Sequence, residues 1–326
     1  MADSRSVPTV HIRPSRGWMA LNLREMWEYR ELLYFFVWRN MKVRYRQTLL
    51  GFTWAVVNPV VNTIAFTIIF GNVAKLPSDG LPPPVFFMIA LSLWRYFAAT
   101  LSSVSNSLVG SANLLTKIYF PRLLIPRNTC ISGLADYFIA LGILLALMLW
   151  FHVVPAASVL LLPVLLLLTV ATALGVGLFF AALNVRYRDV GQIVPFLTSI
   201  WMYASVIIPF SGIPAGWGIW RYLYGLNPMA GIIEGCRWCF AHHVMMVEKL
   251  TTTVLTSLPA KLAEGQKIIV ERLMDGTPQI ILHETIKTPP ETPWLLIAMG
   301  LPFTIGMLVF GLYYFKRVEK MFADIV

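Results

Sequence analysis

Charge is scarce in this chain. Aspartate, glutamate, lysine and arginine make up 13% of its 326 residues, where a soluble globular protein carries about a quarter. So little charge beside a hydrophobic fraction of 57% excludes an ordinary soluble domain and points to several membrane spans. Strand-like alternation with short turns does not run through the sequence, which argues against a transmembrane β-barrel. The pattern G-x-x-x-x-G-K-[ST] occurs nowhere, so the usual phosphate loop for holding a nucleotide is missing. Cysteine is also sparse, at three residues. Cys130 is expected in a span as a small apolar filler. Cys236 and Cys239 form a lone C-x-x-C, and a zinc site needs two more soft ligands at suitable spacing. They read as two residues on one helix face, or as a disulfide if that segment is extracytoplasmic; no metal site is expected. The first twenty residues are polar and basic, with no apolar run before a small-residue cleavage site. The first span is therefore expected to act as an uncleaved insertion signal.

What the chain has is a series of long apolar runs. Six candidate spans fall at roughly 52–73, 86–108, 127–151, 157–183, 191–209 and 293–315, each near the twenty residues needed to cross a bilayer core. Pro195 and Pro209 punctuate the fifth. Leu21–Arg46 reads as an amphipathic helix before the first span, with Arg24, Glu28, Glu31, Arg39, Lys42 and Arg46 along one stripe. Such a helix is expected to lie in the headgroup plane. The expected fold is an all-α integral membrane protein of six transmembrane helices, with this N-terminal interfacial helix, re-entrant extracytoplasmic helices and a small extracytoplasmic insert. The divisions are 1–50 (tail and interfacial helix), 51–240 (spans 1–5 with their loops and the re-entrant segment), 241–292 (insert) and 293–326 (last span and tail).

The distribution of Lys and Arg sets the orientation. Nine precede the first span, three lie in or at the edge of the second loop, two in the fourth and three in the tail. The short first and third loops hold only Lys75. The positive-inside rule then places both termini in the cytoplasm. The net charge of +10 follows from this asymmetry, and no nucleic-acid partner is implied. The fifth loop has two parts. Phe210–Phe240 is rich in Gly, Pro, Trp and Tyr and still apolar, as suits short helices that dip back into the membrane or lie at its interface. Further on, Lys267–Leu273 and Gln279–Ile286 flank a segment containing Asp275-Gly276, a hairpin signal.

Ionisable residues near mid-span are few, because charges there are costly and face the protein interior. Only Arg95 and Asp136 stand out. Each lies about 14 Å deep at 1.5 Å per residue, on antiparallel spans two and three, so they are expected to pair, with polar lining of a substrate path as the alternative.

Five segments together resemble a known family. They are WRNMKVRYRQTLLGFTWAVVNPV at 38–60, NLLTKIYFPRLLIP at 113–126, LNVRYRDV at 183–190, GLNPMAGIIEGCR at 225–237 and FKRVEKMFADIV at 315–326. In their order and spacing the chain is similar to the membrane-spanning permease subunit of ABC-type polysaccharide exporters, which export lipid-linked O-antigen, capsule or teichoic acid chains. The long segment between Arg237 and Pro293 departs from that pattern.

The resemblance implies a chain that is not itself an enzyme. It implies a second copy of the chain and two ATP-binding subunits that bind ATP and Mg, with no cofactor in this chain, in the inner membrane of a bacterium. Contact with the ATPase is expected at Asn113, Lys117, Tyr119, Phe120 and Arg122, and at Arg186, Tyr187, Arg188 and Asp189. Topology alone accounts for the arginines but not for Asp189. A glycan path needs aromatic faces beside amides or hydroxyls. Trp54, Asn58 and Asn62 repeat every four residues on the first span, and Trp201, Tyr203 and Ser205 are further candidates on the fifth. Two alternatives stand beside this reading. A membrane-embedded enzyme acting on lipid-linked sugars would usually show acids at the membrane face, and there is no D-x-D. An ion-driven secondary transporter would favour more intramembrane acids and internal repeats.

Overall fold

The computed structural model describes residues 27–46, 53–111, 120–207, 209–213, 223–245, 247–255, 266–272, 278–288 and 292–319. Helix α1 is Arg30–Arg46. Helix α2, Thr53–Phe66, runs on as a π-helical segment to Val73. Then come α3 (Pro83–Ser105), α4 (Leu124–Trp150), α5 (Leu162–Arg186, entered through a 3-10 turn at Ala157–Leu161) and α6 (Val190–Met202, continued as π-helix to Ile207). Helix α7 is Pro228–Ala241 and α8 is Trp294–Glu319. Among the described residues, six segments are long and apolar enough to cross a membrane: Thr53–Val73, Pro83–Ser105, Leu124–Trp150, Ala157–Arg186, Val190–Ile207 and Trp294–Glu319. They match the six expected spans to within about a turn, and the protein is a multi-pass membrane protein.

Local chemistry sets the helix ends. Pro83 opens α3 where its missing N–H costs nothing. Asn227 caps α7, its side chain accepting from the Met229 N–H, with Pro228 following. Arg186 and the Lys316–Arg317 pair stand in the last turns of α5 and α8, where a cation meets the negative end of the helix dipole.

Helix α3 is the centre of the bundle. Of its most apolar window 78% is buried, against 11% for the α2 span, and it packs against α2, α4, α5, α6 and α7. Phe86, Phe87, Leu93, Phe97 and Leu101 fill the space around it. The outer spans leave apolar side chains such as Val61, Leu167, Phe196 and Ile305 exposed, a surface that hydrocarbon solvates without penalty.

Helices α5 and α8 cross at two glycines. A Cβ on Gly175 would sit 2.6 Å from the Leu308 backbone nitrogen, so only glycine permits the approach. Gly311 faces Gly175 from the other side. Small residues at such crossings let backbones close in where lipid supplies no hydrophobic drive. Thr172 and Thr304 add a hydroxyl–hydroxyl bond of 3.0 Å across the same interface.

Helix α7 has 14 residues, nearly all buried, and is short of the length that crosses a bilayer. It packs inside the bundle against α3, α5 and α8. Beyond it lies a three-stranded antiparallel sheet of β1 (Val247–Leu255), β2 (Gln266–Arg272) and β3 (Pro278–Thr288), in the order β1-β3-β2. Strands β2 and β3 pair with Arg272 opposite Pro278, so the Asp275-Gly276 signal falls in their connection, outside the described residues. Strand β1 has no counterpart in the sequence reading, although its run VEKLTTTVL is rich in β-branched residues.

Candidate functional site

Helices α1, α2, α3 and α4 enclose a cavity of about 240 Å³. Trp54 and Asn58 reach it from α2, Ser92, Arg95 and Tyr96 from α3, Asp136 from α4 and Arg44 from α1. Asn62 does not line it, although it is exposed. Each four-residue step turns a helix face by about 40°, and the third member of the series has rotated out of the cavity.

Arg95 and Asp136, expected as an ion pair, line the same cavity, and α1 adds a third charged group to them. Arg44 Nη1 donates to Asp136 Oδ2, so α1 supplies a hydrogen-bonded partner of Asp136, while Arg95 of span two interacts with it only electrostatically. Packing of α1 against α4 makes this possible. Leu33 and Phe36 of α1 join Phe120, Leu124 and Ile125 in one buried cluster, with the Phe36 and Phe120 rings edge to face at 5.7 Å. Depth along the spans alone does not reveal this contact, because α1 is not a span. Arg95 lines the same cavity, and its buried Nη1 has no hydrogen-bond partner among the described residues.

The fifth-span candidates divide. Trp201 Nε1 donates to Asn227 Oδ1 at 2.8 Å, and Asn227 Nδ2 donates to Ser205 Oγ at 2.8 Å. Ser205 is 1% exposed, and the Trp201 ring packs edge-on against Trp94 and Phe97. These two residues clamp the cap of α7 and do not line the cavity. Tyr203 remains exposed.

The coupling candidates divide as well. Asn113, Lys117 and Tyr119 lie outside the described residues. Phe120 is buried against α1, and Arg122 donates to the Glu319 carbonyl at the end of α8. Both tie the second loop to its own chain. Arg186, Tyr187, Arg188 and Asp189 are all exposed, with the Arg186 guanidinium over the Tyr187 ring. They form an open polar corner between α5 and α6.

A second charged cluster was not read from the sequence. Arg237 is wholly buried. It donates through Nη1 to Glu234 Oε1 at 2.8 Å and through Nη2 to the Val206 carbonyl at 2.7 Å, and stacks 3.8 Å above the Phe86 ring. Glu234 also accepts from the Phe210 N–H. Beside them the Ser211 hydroxyl, in the 3-10 turn that follows α6, donates at 2.6 Å to Oδ1 of Asp79, which lies in the turn between the first two spans. Burial pushes the Asp79 carboxyl up to about 6; Glu234 adds to the rise, while the Ser211 bond and Arg237 oppose it. Burial likewise raises the Tyr224 hydroxyl. The available signal was a Glu and an Arg one helical turn apart in an otherwise apolar segment. Cys236 and Cys239 sit on the same helix as buried free thiols.

Six apolar spans packed around a polar cavity define a multi-pass membrane protein. The ABC-2 type transporter family matches residues 31–241, about two thirds of the chain, and the chain belongs to that family. The match ends before the sheet and α8. The O-antigen export system permease protein RfbA of Myxococcus xanthus is 29% identical over 223 residues, covering 68% of this chain and 84% of the relative. RfbA of Klebsiella pneumoniae is 25% identical over 222 residues, 68% of this chain and 84% of the relative. The polysialic acid transport protein KpsM of Escherichia coli is 25% identical over 202 residues, 60% of this chain and 76% of the relative.

Proposed function

We propose that this chain is the permease subunit of an ABC transporter that exports a lipid-linked polysaccharide across a bacterial inner membrane. The names of its relatives, O-antigen export and polysialic acid transport, are the observation that carries the reading. The cavity supports it, since an indole face beside an amide at Trp54 and Asn58 suits a sugar ring.

Two copies of the chain work with two ATP-binding subunits. The sparsely buried α2 span and the exposed apolar side of α6, with Ile193, Phe196 and Ile200, are surfaces that a second copy can cover. Both termini face the cytoplasm, where the corner Arg186–Asp189 is available to the ATPase. ATP and Mg are held by that partner, and the chain carries out translocation without catalysing a reaction itself. Deleting the chain in cells tests the reading: lipid-linked glycan should accumulate on the cytoplasmic side while its synthesis continues. Normal surface glycan in the deletion strain would refute it.

A further inference from the structure

Among the described residues, the cavity between α1, α2, α3 and α4 carries more positive than negative charge. Two guanidiniums, Arg44 and Arg95, line it with one carboxylate, Asp136. Arg44 already bonds that carboxylate. Asp136 also acts electrostatically on Arg95, but the buried Nη1 of Arg95 has no hydrogen-bond partner among the described residues. Ser92, Tyr96 and Thr129 on the cavity wall donate their hydroxyls to the carbonyls of Ile89, Cys130 and Pro126, and Thr100 Oγ1 on the same wall is, like Arg95 Nη1, without a hydrogen-bond partner among the described residues. A buried cationic donor without an acceptor is costly in a membrane bundle and calls for a ligand.

From this arrangement we infer that the cavity is a binding site for the phosphate headgroup of a lipid-linked substrate, with Arg95 as its anion ligand. The assignment rests on the export reading for its substrate and extends it to a site. A guanidinium fork matches phosphate oxygens. The cavity volume of about 240 Å³ is many times the roughly 10–15 Å³ that admits one water, room for a diphosphate. Trp54 and Asn58 stand beside it for the first sugar, and α2 exposes Val57, Val61 and Ile64 along which a prenyl tail can lie. The Arg44–Asp136 pair is about two-fifths exposed on each side and stands at the mouth. Asp136 then has two effects: it holds Arg44 and it competes with the incoming anion.

The test is equilibrium binding of farnesyl diphosphate to the full chain in phosphatidylcholine nanodiscs, with inorganic pyrophosphate, farnesol and phosphatidylglycerol as competitors. Pyrophosphate should displace the probe and farnesol should not. Arg95→Gln should weaken binding about tenfold or more, the loss of a charged hydrogen bond, and Arg95→Lys should lose less. Asp136→Asn should tighten binding severalfold and steepen its salt dependence, the opposite of what removing a merely structural pair would do. If Arg95→Gln does not fold, the Lys and Asp136→Asn variants carry the test. Unchanged binding in Arg95→Gln, weaker binding in Asp136→Asn, or displacement by farnesol would overturn the site. Displacement by phosphatidylglycerol as effective as by pyrophosphate would assign the site to bilayer phospholipid and overturn the substrate headgroup. The assay uses neither ATP nor a partner. Binding through Arg95 without export would therefore sink the export reading alone, and export with unaltered Arg95→Gln binding would sink the site alone.

Discussion

Replacing Asp79 by asparagine should stabilise the protein at neutral pH and remove a pH dependence. Asp79 is 7% exposed, and its carboxyl is raised from 3.8 to about 6, chiefly by burial. A raised acid binds its proton more tightly in the folded state. The stability it contributes is therefore fully present below about pH 3.8 and is lost as pH rises through about 6. A difference of about two units corresponds to about 3 kcal/mol between those limits. Asparagine keeps the oxygen that accepts from Ser211, tolerates the positive φ of 49° at this position, and cannot ionise beside Glu234. Unfolding followed by intrinsic tryptophan fluorescence in detergent reads the effect, since the chain has 11 tryptophans. At pH 7 Asp79→Asn should melt above the wild type, and the gap should close toward pH 4. A variant less stable than wild type at pH 7, or a gap independent of pH, would refute the reasoning.

Further outcomes follow from the bundle and its faces. Cysteines at Ser4 and Gly276 should label from opposite sides of the membrane, because five crossings separate the N-terminus from the fifth loop; labelling from one side would break the topology. Asp189→Arg should leave insertion intact while weakening assembly with the ATPase or uncoupling its hydrolysis from export, measured by co-purification and ATPase rate. Trp54→Ala and Asn58→Leu should impair glycan export more than they impair folding, whereas Asn62→Leu, outside the cavity, should impair it less; equal losses would remove the cavity from the path. Gly311→Leu would drive a side chain into the backbone of α5 at Gly175, and size-exclusion profiles should show loss of the folded chain.

The spans were legible because a run of about twenty apolar residues with almost no charge suits little besides a bilayer crossing. Their packing was not, since lipid-facing and core-facing leucines look alike in such a run. That is why α3 could not be singled out as the central helix. Trp54 and Asn58 were legible as one face. Asn62 was not excluded because the four-residue spacing was followed without its rotation. Trp201 and Ser205 looked like path residues by composition, yet both close on Asn227, a contact between distant segments. Arg44 was counted as one of many positive-inside charges, and only the docking of α1 against α4 shows that it holds Asp136. Glu234 and Arg237 were in view inside a family motif. Their burial as a pair depends on α7 being packed inside the bundle, which no local pattern reveals.

The central claim is most directly tested by reconstituting the chain with its genomic ATPase neighbour in proteoliposomes loaded with lipid-linked glycan on the ATPase side. ATP should move the glycan to the opposite leaflet, where it becomes accessible to a glycosidase, and omission of either subunit should abolish the movement. Translocation by the chain alone under an ion gradient, or no ATP-dependent movement with a fully assembled complex, would contradict it.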